Sequence, residues 1–178
     1  MRIQKYLAIG ILALALVGCT SAPKNITTAG KAEITTLKST VRLQDGFRVE
    51  AESRGFKFVM DEPTEEGGTN TGMNPCEAVL GAFGGCQTIV ASAYAKSMGI
   101  DLQEYWVELE GDFDMRGFEG VEGVFPGYTE VRYTIHVKSN SPKEKVEDFV
   151  KFVEKVCPVG NTLASPVKMV KTSVIIEK

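Results

Sequence analysis

Histidine is almost missing from this chain, His136 being the only one. No C-x-x-C occurs among the four cysteines either, so a structural zinc site is not expected. The chain has no G-x-S-x-G and no phosphate-cradling glycine loop, which removes the motifs of serine hydrolases and nucleotide-binding enzymes. Basic residues form no stripe: 20 Lys and Arg stand against 23 Asp and Glu, for a net charge of −3. A nucleic-acid partner needs clustered positive charge to neutralise phosphates, so none is expected. A basic helix lying on a membrane surface is absent for the same reason. His136 sits in an alternating segment and reads as an ordinary strand residue rather than a ligand.

What is present begins with an export signal. Arg2 and Lys5 precede an apolar run of about a dozen residues, too short for a hydrocarbon core that needs roughly 20. The run ends in Leu16-Val17-Gly18-Cys19, the pattern of a bacterial lipobox, in which the cysteine becomes the acylated N-terminus. This reading divides the chain into a signal peptide at 1–18, a lipidated tether at 19–34 and one domain at 35–178. It places the domain in the bacterial cell envelope, outside the cytoplasm and anchored to a membrane through the lipid on Cys19. Loss of Arg2 and Lys5 with the leader would take the net charge from −3 to −5. The length that remains can bury one good core.

Three cysteines then remain, Cys76, Cys86 and Cys157, an odd number in a compartment that favours disulfides. Cys86 and Cys157 stand at helix landmarks about 70 residues apart, which suggests a thiol pair assembled by folding.

The chain around them reads as an α+β domain. Residues 26–39 run from the tether into a first strand. Residues 42–50 and 54–60 follow as strands, with turn signals at Asp45-Gly46 and Ser53-Arg54-Gly55. A loop at 61–71 precedes a long helix at 74–98, closed by Gly99. Strands are expected at 105–115 and 128–138, the second carrying Val131, Tyr133, Ile135 and Val137 on one face. Ser141-Pro142 opens another helix whose Val146, Phe149, Val150 and Val153 follow the 3.6 period. A final strand is expected at 168–176. Residues 78–95 hold no charge, but three glycines and several polar side chains favour a central core helix over a membrane span. The glycines before Cys86 favour a close helix–helix approach near the thiol.

Asn74-Pro75-Cys76-Glu77 has the form of a capped helix start, with Asn74 as N-cap, Pro75 first and Glu77 closing a capping box. Cys76 would lie in the first turn, where unpaired N–H groups favour a thiolate. Cys86 is near mid-helix in apolar surroundings that make a thiol inert. A nucleophilic Cys86 therefore needs a cation or donor from elsewhere, with Arg42, Arg48 and Arg54 as candidates. Pro158 keeps Cys157 at a helix end.

Taken in order, Asp61-x-Pro63, Gly67-Gly68, Gly72-x-Asn74-Pro75-x-Glu77, Gly84-Gly85-Cys86 and Cys157-Pro158-Val159 resemble the OsmC/Ohr family over roughly residues 35–178. The resemblance implies an intertwined homodimer, two antiparallel-rich sheets packed on long central helices. It implies reduction of organic and lipid hydroperoxides without metal or organic cofactor. Cys86 would be the peroxidatic thiolate and Cys157 would resolve its sulfenic acid as a disulfide. An external dithiol would recharge the pair. Glu77 enters as the family's acid, although the peroxidase branch carries Asn-Pro-Glu where this chain has Asn-Pro-Cys-Glu. One residue along a helix is about 100° of rotation, so Glu77 cannot simply inherit that acid's place. The alternatives are a non-catalytic envelope lipoprotein binding a small apolar ligand, and a thiol redox sensor using Cys76 between chains.

Overall fold

The computed structural model describes residues 30–177. The signal peptide, the lipidation site Cys19 and the tether up to residue 29 lie outside the described residues. Residues 30–39 are exposed and irregular, and the first strand starts only at Thr40.

Strands β1 (Thr40–Asp45), β2 (Arg48–Ser53) and β3 (Phe56–Met60) form an antiparallel sheet in that order. The expected strand over 42–50 is thus two strands. Gly46 has φ +55° and turns the chain back on itself, as Arg54 and Gly55 do one hairpin later. The register pairs Val41 with Ala51 and Ala51 with Phe58, and likewise Leu43 with Val49 and Val49 with Met60. Period-two alternation therefore gathers apolar side chains on one face of this sheet. Val41, Leu43, Phe56 and Phe58 on that face stand exposed.

A loop then leads to the long helix, and Asp61 organises it. The Asp61 side chain is buried and accepts five hydrogen bonds, from the backbone N–H of Glu62, Thr69 and Thr71 and from the hydroxyls of Thr69 and Thr71. These bonds, that from the Thr69 hydroxyl above all, hold its carboxyl well below the usual carboxylate range. Gly68 completes the turn, because a Cβ there would overlap the Glu62 carbonyl. A carboxyl with a depressed folded-state pKa adds stability above its unfolded value, near 4, and loses it as pH falls further. Asp61→Asn is expected to lower Tm by roughly 5 °C or more at neutral pH. The gap to wild type should close as unfolding is followed downward from about pH 4.

Helix α1 (Pro75–Ala95) starts as its sequence dictates. The Asn74 side chain accepts from the Glu77 N–H at 2.9 Å, and the Glu77 carboxylate accepts from the Asn74 N–H at 2.8 Å. After Gly99, β4 (Leu102–Phe113) pairs antiparallel with β5 (Tyr128–Ser139), joined through a short helix α2 (Met115–Phe118). Helices α3 (Lys143–Val156) and α4 (Pro158–Ala164) follow.

The core gathers Ala91, Ala95, Ile100, Tyr105, Phe149 and Val153, with Val107, Ile135, Val137 and Val150 packed against it. Helix α1 is long and apolar enough to cross a membrane, but here it packs on β4, α3 and α4. Its other flank, with Val79 and Ile89, is exposed. The close approach at Gly84 is to the sheet, not to a helix of the described chain: a Cβ there would sit 2.8 Å from Leu109 Cδ1.

The final strand expected at 168–176 does not form. Residues 165–177 make no ladder, and Met169, Val174, Ile175 and Ile176 stand exposed. A strand satisfies its backbone only against another strand, and this tail has none among the described residues.

Candidate active site

Cys157 occupies the corner between α3 and α4, and its neighbour fixes that place. Pro158 is the first residue of α4, and a residue before proline is driven from helical to extended backbone. Cys157 accordingly has φ −70° and ψ 111°, which ends α3 and turns its side chain over the start of α4. There its sulfur accepts the Gly160 N–H at 3.4 Å. The Asn161 amide locks the corner by donating to the carbonyls of Lys155 and Cys157, at 3.1 and 2.8 Å.

Cys86 reaches the same point from α1. It is half-buried, Cys157 is fully buried, and both are free thiols. Burial pushes the Cys157 thiol up, and the Cys86 side chain beside it pushes the same way. The N–H groups of Gly160 and Val159 pull in the opposite direction without reversing the shift. Cys157 therefore keeps its proton through neutral pH, and an incoming electrophile meets the more open Cys86.

This shift has a measurable consequence. Attack by Cys157 on an oxidised Cys86 requires the Cys157 thiolate. Disulfide closure should therefore keep accelerating above about pH 8.5, where an ordinary thiol levels off. A stopped-flow pH profile of the closing step checks this; a plateau below that point would contradict it. The linked stability term has the matching sign. It is present below the unfolded thiol value and fades as pH rises through the folded one.

Beside the thiols lies an open cavity of about 520 Å³ between α1, β5, α3 and α4. Phe83, Tyr128, Val131 and Leu163 supply much of its apolar wall, and Gly160 brings it up to the Cys157 corner. The Phe83 ring stands edge-on to Tyr133, centroids 5.1 Å apart, and a Cβ on Gly160 would meet that ring at 2.9 Å. The Tyr133 hydroxyl donates to Glu154 at 2.8 Å. Gln87, the residue after Cys86, is buried in the wall with Oε1 unpartnered, and the buried Tyr105 hydroxyl also lacks a partner. Burial, then the nearby Glu154 carboxylate, hold the Tyr105 phenol protonated.

The other expected site residues lie apart from the thiol pair. Glu77 is exposed in its capping box, about 13 Å from Cys86 along the axis of α1. Cys76 is exposed in the first turn, and the Tyr128 phenol at the cavity wall is pushed up, by burial first and then by Cys76 and Glu77. Arg42 and Arg48 lie on β1 and β2, whereas α1 packs on β4, α3 and α4. Arg54 sits over the Phe56 ring at 5.5 Å. His136 stacks on Trp106 on the outer side of the second sheet and meets Glu108 at 3.0 Å. Sequence reasoning missed Gln87, Tyr133 and Glu154 as site residues. Tyr133 alone carried a signal, since it shares the inward face of β5 with Ile135 and Val137.

The OsmC-like protein family profile matches residues 68–171. A hydroperoxide reductase from Mycoplasma genitalium is 29% identical over 124 residues, 70% of this chain and 84% of that protein. The crystal structure of an OsmC-like protein from Mycoplasma pneumoniae superposes with a TM-score of 0.64 at 23% identity, covering 73% of this chain and 88% of the other. An organic hydroperoxide resistance protein from Legionella pneumophila gives 0.54 at 18% identity, over 74% of this chain and 91% of that one. With that profile spanning more than half of its length, the chain belongs to the OsmC-like family.

Proposed function

We propose that the protein reduces organic hydroperoxides with its own thiols. The observation that carries this reading is the meeting of Cys86 and Cys157, both reduced, beside an apolar cavity. The Cys86 thiolate attacks the terminal oxygen of R–O–O–H and the O–O bond breaks. Cys86 becomes a sulfenic acid, and the alkoxide takes a proton to leave as R–OH. Cys157 then attacks the Cys86 sulfur, water departs, and a Cys86–Cys157 disulfide remains. An external dithiol gives up two electrons and two protons to restore both thiols. The hydroperoxide reductase name of the Mycoplasma genitalium relative supports the same chemistry.

The reading extends to assembly and place. An uncovered apolar face on the first sheet, an exposed flank on α1 and an apolar tail without a partner strand support an intertwined homodimer. Export and lipidation at Cys19 would hold the cavity near membrane lipid. Glu77 would then serve as the cap of α1 with Asn74, and not act on Cys86 directly.

A single-turnover assay tests the chemistry without knowledge of the natural reductant. The reduced protein receives one equivalent of hydroperoxide, and disulfides are mapped within seconds. Cys86–Cys157 should form as peroxide disappears. A non-catalytic module that binds a small apolar ligand is the second reading, favoured by the placement of Arg42, Arg48 and Arg54 on the first sheet and its turn. Thiols that stay reduced in the same assay would select it.

A further inference from the structure

We propose that the end of the first sheet, where the chain enters it, is a docking surface for anionic phospholipid headgroups, built by Lys38, Arg42 and Arg54. The inference rests on the anchored reading given above and adds how the domain lies on its membrane. The three cations are scattered from 38 to 54 in the sequence, and only the β1–β2 hairpin gathers them. There they line a cavity of about 230 Å³ together with Glu52. Two side-chain bonds pin this corner beyond the end of the ladder. The Ser53 hydroxyl donates to the Lys38 carbonyl at 2.9 Å, and the Ser39 hydroxyl to the Glu52 carbonyl at 3.1 Å. Lys38 is thereby held beside the turn that carries Arg54. Arg54 itself has φ +54°, a conformation that residues other than Gly, Asn and Asp seldom adopt. All three cationic side chains are exposed.

These charges are not neutralised within the protein. Glu50 and Glu52 both meet Lys57, at 2.8 and 3.8 Å, whereas Lys38, Arg42 and Arg54 form no ion pair among the described residues. Residues 38–57 hold five Lys and Arg against three Asp and Glu, but residues 61–178 hold eleven against nineteen. An anionic surface therefore attracts this corner and repels the rest of the domain, which fixes orientation as well as contact. Strand alternation puts Arg42 on the face opposite Val41 and Leu43. An assembly that covers the apolar face would leave the cations to solvent. The stretch from Cys19 to Lys38 can span up to about 65 Å, so a lipid on Cys19 alone sets no orientation. It does keep headgroups at high local concentration, so that weak contacts suffice. Each cation at such a surface favours contact by about five-fold.

The test uses the chain produced in bacteria with its leader, reconstituted on vesicles of phosphatidylcholine alone or with about one-third phosphatidylglycerol. Mass spectrometry follows amine labelling of Lys38, with the exposed Lys143 and Lys151 of α3 as references. Lys38 should label about five-fold or more slowly on the anionic vesicles, while the references keep one rate on both. The protection should vanish at about 1 M salt, where the screening length falls to about 3 Å. It should also vanish in the double variant Arg42→Gln, Arg54→Asn, in which asparagine suits the left-handed turn and the fold is kept. Equal labelling on the two vesicles, or protection untouched by the double variant, would overturn the proposal. So would protection that appears without vesicles and rises with protein concentration, since it would assign the corner to a second copy of the chain. If Cys19 carries no acyl chain, flotation of the same protein decides. Flotation about ten-fold stronger with the anionic vesicles would sink the anchor and uphold the surface. Flotation equal on both, or absent from both, would overturn the surface as well.

Discussion

Cys86→Ser is expected to slow peroxide consumption by roughly three orders of magnitude or more, to the level of an ordinary exposed thiol. A hydroxyl is far less nucleophilic than a thiolate at neutral pH, and Cys157 cannot substitute for it. Cys157 is fully buried and its thiol is held protonated by burial and by Cys86. Cys157→Ser should behave differently. The first turnover proceeds, but the Cys86 sulfenic acid has no partner and accumulates or advances to sulfinic acid under excess peroxide. Mass spectrometry would see two added oxygens on Cys86 in this variant and a closed disulfide in the wild type. Full activity in Cys86→Ser would move the chemistry to Cys76 or Cys157 and end the mechanism given above. Closure of a loop of about 70 residues should also raise stability by about 4 kcal/mol in the oxidised protein.

The elements around this pair were legible wherever the determinants are local. Asn74, Pro75 and Glu77 announce the start of α1, and both capping bonds are made. The spacing of Phe149, Val150 and Val153 announces the buried face of α3, and Phe149 and Val153 are fully enclosed. Pro158 announces the corner that carries Cys157. Non-local features were not legible. The tail at 168–176 has strand-like alternation, but a ladder needs a neighbour that no local pattern supplies. Alternation alone reads 42–50 as one strand, although Asp45-Gly46 inside it carries the turn signal that divides it. The place of Cys86 and Cys157 at helix landmarks suggested that they meet, whereas their roles followed only from the family resemblance. The cavity joins Phe83 and Gln87 from α1, Tyr133 from β5 and Glu154 from α3, side chains from three elements that only packing brings together. The activating arginine expected on the first strands has its candidates on a sheet away from the described packing of α1.

Phe149→Ala is expected to cost about 3–5 kcal/mol, the largest loss for any single core truncation in this chain. Phe149 is fully buried and packs within the cluster of Ala91, Ala95, Tyr105 and Val153, where small neighbours cannot swing in to fill the void. A domain with a total stability of about 5–15 kcal/mol would lose a large share of it. In urea the midpoint should fall while the slope stays near the wild-type value, at fixed protein concentration. The chemistry should respond differently. Phe149 lies two turns of α3 before Cys157, about 12 Å along the axis, and neither thiol belongs to its buried cluster. Folded Phe149→Ala should therefore close its disulfide at close to the wild-type rate, and lost activity should track the unfolded fraction. Cys157→Ser gives the reverse pattern: a near-isosteric change with a small stability effect and a disabled resolving step. If Phe149→Ala instead slowed closure in fully folded protein, the corner at Cys157 would depend on the core beneath α3. The thiol geometry would then be set by packing and not by Pro158 and Asn161 alone.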